Sequence, residues 1–220
     1  MILIDNSPTA IILPTNIFDF LSDVDDYYMP VITGSYFRLI RIITLLFVVF
    51  LSPIYLLLTS NNVFVPNFLT FLIPTETYNI PIVFQFVILE FVIDSLKLAS
   101  LNTPQSLGMS LSIIGALILG DISIKVGWFI PHTILLMAFI ALSSFIQPST
   151  ELSYALKFMR FIFYFFIFFF GLPGFLIGII LIILILLKTK TINGNSYLYP
   201  FYPYNKKDLK KLIFRTSKKL

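Results

Sequence analysis

The run FMRFIFYFFIFFFGLPGFLIGIILIILILL at residues 158–187 decides the fold class. It is 30 residues long and carries one charge, Arg160. A helix needs only about 20 apolar residues to cross a bilayer. Gly171, Pro173, Gly174 and Gly178 lie near the middle of the run, and Lys188 and Lys190 stop it. The spacing predicts one long, bent or tilted helix with a flexible centre, two half-helices being the alternative.

The rest of the chain agrees with a membrane setting. Hydrophobic residues make up 58% of the 220 and charged residues 12%, the profile of a polytopic helical membrane protein. There is no cysteine, hence no disulfide, thiolate metal site or cysteine nucleophile. The one histidine, His132, lacks the converging partners that a zinc site needs. Ser143 and Ser144 have no histidine or lysine at hand to activate them, and no glycine-rich phosphate loop joins a strand to a helix. No enzyme, metal or cofactor is therefore expected. The first residues lack the basic start of a signal peptide, so the first span is expected to act as its own insertion signal.

Working outward, four spans are predicted, at about residues 36–59, 105–122, 128–146 and within 158–187. Pro53 lies inside the first and should kink it. Residues 82–101 are apolar but carry Glu90, Asp94 and Lys97, which fall within about 60° of helical arc. This segment is expected as an interfacial or re-entrant helix, or as a span with its stripe turned to protein or water. Ahead of the spans, residues 1–14 read as a β-hairpin around Asp5-Asn6-Ser7-Pro8. A lone hairpin is marginal in water, so a partner or missing upstream sequence must complete its sheet. The fold expected is an all-α polytopic membrane protein of about four transmembrane helices, one interfacial or re-entrant helix and a short hairpin remnant. Its divisions are 1–30, the end of a soluble domain, 31–190, the membrane domain, and 191–220, a basic cytoplasmic tail.

Charge sets the orientation. Residues 1–30 hold five aspartates and no base, whereas from Lys188 onward there are nine lysines or arginines and one acid, Asp208. Arg38 and Arg41 flank the first span. Both ends are thus expected on the cytoplasmic side, the tail touching anionic lipid and not nucleic acid.

Two features bear on function. Gly108, Ser112, Ala116 and Gly120, with Gly115 beside them, form a ladder of small residues that lets another helix or a pore axis come close. The stripe of Glu90, Asp94 and Lys97, with Arg160 as an intramembrane cation that either pairs with Glu90 or Glu151 or snorkels, is costly in lipid and so points to coupling or ion attraction.

The order of short motifs resembles the A subunit of GerA-type spore germination receptors along nearly the whole chain. Asp5-Asn6-Ser7-Pro8 with Ile11-Ile12-Leu13-Pro14 is similar to the family's DGSP…ILP, and Asp25-Asp26-Tyr27-Tyr28 to its EDYY. Arg38 and Arg41 match its arginine pair, Leu51-Ser52-Pro53-Ile54-Tyr55 its LLPALY and Leu89-Glu90-Phe91 its MEF. Residues 112–120 resemble SIVGALVIG, Ser144-Phe145-Ile146-Gln147-Pro148 resembles SFTIPS, Phe170-Gly171-Leu172-Pro173-Gly174 resembles FGLFG, and residues 197–200 with Asp208-Leu209-Lys210 resemble PYLSP…DLKD. The resemblance implies a multi-pass inner spore membrane subunit of a nutrient-responsive receptor. Its implied partners are a transporter-like B subunit and a lipoprotein C subunit, and its implied assembly is a homo-oligomer forming a ligand-gated ion channel. Asp121 stands where the family often has Gln. Family members carry a large soluble domain ahead of the first span. The chain is expected to enter at that domain's last hairpin and not to replace a full-length A subunit. The alternatives are a secondary transporter, which would show paired broken helices, and a non-functional truncated receptor subunit.

Overall fold

The structure is a computed structural model that describes residues 2–3, 10–11, 15–23, 25–60, 67–74, 78–102, 115 and 117–213. Apart from an antiparallel two-residue pairing of Ile2–Leu3 with Ala10–Ile11 and an isolated bridge between Lys190 and Ser196, the regular structure of the described residues is helical. The main elements are α1 (Val31–Ser60), α2 (Ile82–Asn102), α3 (Pro131–Ile146), α4 (Thr150–Phe170), α5 (Leu172–Lys188) and α6 (Lys206–Ile213). At 30 residues, α1 is about 45 Å long. α1 and α4 are both long and apolar enough to cross a membrane, and α3 and α5 are shorter apolar helices.

Side-chain pairings fix the direction of each helix. Gln147, just before α4, reaches the Arg41 carbonyl, Arg160 reaches Val48, and Tyr164 reaches Ser52, so α4 runs parallel to α1. Glu90 meets Arg160 and Asp94 meets Lys157, so α2 runs the opposite way. Gln85 meets Thr133 while Lys97 lies over Phe145, so α3 runs beside α2 in the same sense. Between them the chain passes Leu96 at Gly115 and is back beside Asn79 by Gly127. α5 then returns along α4.

Pro131 starts α3 and Ser149 caps α4, its hydroxyl accepting from the Leu152 amide at 3.2 Å. The core is apolar and central: Val48, Tyr55 and Leu56 of α1, Phe86 and Leu89 of α2, Met137 and Ile140 of α3, and Phe163, Tyr164 and Ile167 of α4. The outer surface is just as apolar. Phe165, Phe168, Phe169, Leu176, Ile180 and Leu184 are all exposed, an arrangement that hydrocarbon and not water accommodates.

The 158–187 run is not one bent helix. It breaks at Gly171, whose φ of 60° ends α4, and Pro173 cannot continue that helix because its ring lacks an N–H and crowds the preceding turn. α4 and α5 then close into an antiparallel hairpin. A Cβ on Gly174 would lie 2.0 Å from the Phe166 carbonyl oxygen, and one on Gly178 would lie 2.8 Å from the Phe163 ring. Small residues here let two backbones touch. The charged stripe of residues 82–101 is also turned into the bundle: Glu90 is 4% exposed, which a helix lying flat on the interface would not give. Gly108, Ser112 and Ala116 lie outside the described residues.

The connector ahead of α1 and the tail after α5 meet at one end. The Ile17 amide donates to the Tyr197 carbonyl, and Phe18 stacks on Phe201. Asp208 and Leu212 of α6 line a cavity with Arg38 and Ile42 of α1.

Gly174→Ala is expected to destabilise the α4–α5 hairpin by about 1–3 kcal/mol, because the added methyl meets backbone and not a movable side chain. Thermal unfolding of the detergent-solubilised protein measures it. An unchanged midpoint would show that the helices do not need this approach.

Candidate functional site: an ion-pair network between helices

α2 and α4 carry complementary charges on their facing sides. Glu90 and Asp94 are four apart on α2, and Lys157 and Arg160 three apart on α4, so each pair presents a single face. Glu90 Oε1 accepts from Arg160 Nε at 2.8 Å and from Nη2 at 2.5 Å. Lys157 Nζ pairs with Asp94 and lies 3.7 Å from Glu90 Oε2. Arg160 is 3% exposed, so its remaining donors also need acceptors, and its Nη1 donates to the Val48 carbonyl of α1 at 2.7 Å. One turn along α4 from Arg160, the Tyr164 hydroxyl and Ser52 Oγ are 2.7 Å apart. Arg160 therefore holds α1, α2 and α4 together.

Two further polar ties flank this centre. At the end where α2 begins, the fully buried Gln85 donates to the Ile80 carbonyl, and its Oε1 accepts from the Ile130 amide and from Thr133 Oγ1, joining α2 to α3. At the other end, Asp26 is 2.5 Å from Arg41 Nη1 and 3.5 Å from Arg38 Nε. Gln147 Nε2 donates to the Arg41 carbonyl and to Thr44 Oγ1, both at 3.3 Å. The acidic connector is thus clamped to the arginine pair of α1, and the α3–α4 corner to the same turn.

Between α2, α3 and α4 a cleft of about 230 Å³ opens beside the network. Glu90, Asp94, Lys97, Gln147, Lys157 and Arg160 line it.

Of the residues that the sequence singles out, Glu90, Asp94 and Arg160 come together. Lys97 stands at the same cleft, its ammonium 4.7 Å from the centre of the Phe145 ring. Gly115 packs on Leu96, while Gly120 lies in a π-helical turn, Ile118–Ile122, with open space where a Cβ would stand. Asp121 pairs with Lys125 at 2.6 Å on the exposed surface, a contact of small energetic weight. His132 stacks on Tyr55 and bonds the Phe71 carbonyl through Nε2. Sequence reasoning missed Lys157, Gln85 and the pairing of Tyr164 with Ser52. Lys157 was findable: two cations on one face of an apolar helix call for two carboxylates on another.

The chain matches the family model described as "Bacillus/Clostridium GerA spore germination protein" over residues 1–220. It is 30% identical over 218 residues to "Stage V sporulation protein AF" of Bacillus subtilis (strain 168), an alignment covering 99% of this chain and 44% of that protein. It is 33% identical over 217 residues to "Spore germination protein GerQA" of Bacillus cereus, covering 97% and 43%. Similarity at 25% over 217 residues extends to "Uncharacterized membrane protein YfkQ" of Bacillus subtilis (strain 168), covering 97% and 42%. The chain thus spans less than half the length of each of these relatives. No solved structure matches it.

Glu90→Gln keeps the shape of the side chain and removes its charge, leaving Arg160 buried without its counter-charge. The expected cost is about 3–5 kcal/mol, read from unfolding in detergent. Arg160→Gln should cost a similar amount, and the double variant less than the two together. A Glu90→Gln protein as stable as the parent would show that this pair does not hold α2 on α4.

Proposed function

The chain belongs to the GerA family of spore germination proteins, and from that footing we propose that it forms the membrane part of a nutrient-responsive germination receptor that assembles into a ligand-gated ion channel. The match to the family model along residues 1–220 carries the reading. In this reading residues 1–30 end a soluble domain, 31–190 lie in the inner spore membrane and 191–220 form a cytoplasmic tail. The partners are further copies of the chain, a transporter-like B subunit and a lipoprotein C subunit.

Charge and connectivity support the orientation. The start of α1, the end of α5 and α6 share one end of the bundle, which gathers Arg38, Arg41, Lys188, Lys190, Lys206, Lys207 and Lys210. Lys125, beside Gly127 at the opposite end, stands almost alone there among the described residues. The excess of lysine and arginine at the shared end supports a cytoplasmic position for it. The family's larger assembly is where the ladder of Gly108, Ser112, Gly115, Ala116 and Gly120 acts, as the face that meets the neighbouring copy around the pore. The network of Glu90, Asp94, Lys157 and Arg160 then links that face's neighbours to α1, so that a change at one helix is felt at the others.

The test is transplantation: residues 31–190 replace the matching segment of a full-length relative, and nutrient-triggered cation release from spores is followed. Release is expected to persist with the parent sequence and to be lost with Ser112→Leu or Ala116→Leu, which fill the ladder. Normal release from either leucine variant would remove the ladder from the channel, and failure of the parent transplant would remove the receptor reading.

A further inference from the structure

We propose that the tail layer formed by the end of α5, Tyr202, Tyr204 and α6 binds the headgroups of anionic phospholipid, and that this binding holds the connector of residues 15–23 against the bundle. Position is the first observation. α1 is about 45 Å long, more than the roughly 30 Å of hydrocarbon that a span crosses. From Ile42 to its last residue, Ser60, it covers about 28 Å. The charged turn of Arg38 and Arg41 therefore stands at headgroup level. α6 rests on that turn, since Asp208 and Leu212 line one cavity with Arg38 and Ile42. α5 reaches its end at Lys188 after an exposed apolar flank of Leu176, Ile180 and Leu184. The layer is thus continuous with a surface that faces hydrocarbon.

The second observation is charge. At about 100° per residue, Lys206, Lys207 and Lys210 fall on one side of α6, opposite the Asp208 and Leu212 side that meets α1. These three lysines, with Lys188 and Lys190, are exposed and make no ion pair among the described residues. The acids of this end are engaged elsewhere. Asp23 and Asp26 meet Arg41, Asp19 accepts from the Asn16 amide, and Asp208 accepts from Tyr199 and Asn205. Beside the lysines, Tyr202 and Tyr204 are exposed, rings with a polar tip that suit the membrane–water boundary. Cations and tyrosines together at headgroup level fit a lipid phosphate, and the adjoining apolar flank fits its chains.

The third observation joins this layer to the connector. The Ile17 amide donates to the Tyr197 carbonyl at 3.2 Å, and the rings of Phe18 and Phe201 stack with centres 5.3 Å apart. Phe18 and Leu21 also wall the cavity that α6 covers. A tail drawn to the membrane surface keeps these contacts closed, because a ligand that binds the closed layer stabilises it. The inference needs helices that cross a membrane and does not rest on the receptor or channel reading.

The test places the full chain in nanodiscs of phosphatidylcholine, alone or with one third phosphatidylglycerol, and follows amide hydrogen exchange. Two peptides are read: one carrying Leu209, whose amide donates to the Asn205 carbonyl, and one carrying Ile17. Phosphatidylglycerol is expected to slow exchange about tenfold in both at low salt, and to lose that effect at about 1 M salt. The combined Lys206→Gln, Lys207→Gln and Lys210→Gln variant should show no difference between the two lipids, whereas the three arginine replacements should keep it. Phe18→Ala should remove the lipid effect at Ile17 and leave it at Leu209. Each variant is compared with itself in the two lipids, so a general loss of stability does not mimic the result. Glycerol 3-phosphate added to phosphatidylcholine nanodiscs should not reproduce the slowing. Equal exchange in the two lipids, an undiminished effect in the glutamine variant, or equal slowing by glycerol 3-phosphate would each overturn the lipid site. An undiminished effect at Ile17 in Phe18→Ala would overturn the clasp.

Discussion

An arginine in the middle of an apolar bundle must find every acceptor it needs among its neighbours, because hydrocarbon supplies none. Arg160 finds a carboxylate on α2 and a backbone carbonyl on α1, and so fixes three helices from one side chain. The arrangement is demanding as well as binding. Taking the guanidinium and Glu90 out of water costs several kcal/mol per ion, and good geometry offsets that cost only while both partners stay in place. The directions of α1, α2 and α4, and the position of the cleft beside them, follow from this constraint.

The second constraint is steric. α4 and α5 lie against each other because Gly174 and Gly178 leave nothing between the backbones and Phe166 or Phe163. Within lipid there is no hydrophobic drive for helices to associate, so close contact and polar ties do that work. The two modes divide the molecule: α5 is held on α4 by shape, α2 and α1 by hydrogen bonds and charge. The polar ties are distributed along the bundle, with Gln85 at one end, Glu90 and Arg160 at the centre, and Asp26, Arg41 and Gln147 at the other. A displacement of α4 along its axis would disturb the Glu90–Arg160 pair and the Gln147 bonds together. That is the physical basis for treating the bundle as a coupled element and not as a passive anchor.

The connector, the arginine pair and the tail gather at one end of the bundle. There the tail packs on the connector through Phe18 and Phe201 and through the Ile17–Tyr197 backbone bond. Burial, and then the Asp19 carboxylate nearby, push the Tyr197 phenol above its usual range. Segments far apart in sequence are thus drawn into one layer across the helix ends, in contact with the α1 turn that carries Arg38 and Arg41.

By itself the sequence determined that this is a helical membrane protein, because composition and the length of the apolar runs leave no other solution for backbone hydrogen bonds in lipid. The motif order determined the family. The positions of Glu90, Asp94 and Arg160 were legible as costly charges, since a charge on an apolar helix stands out whatever surrounds it. What the sequence could not give was their partners. Pairing Glu90 with Arg160 joins residues 70 apart, and nothing in local periodicity distinguishes that from snorkelling. The run at 158–187 misled for a related reason. Its apolar pattern continues through Gly171, and the break there becomes a hairpin through the close approach of Gly174 to Phe166 and of Gly178 to Phe163, residues that no local pattern pairs. Local pattern sets which residues must be inside; which of them meet depends on the packing of whole helices, and that is decided only when the bundle closes.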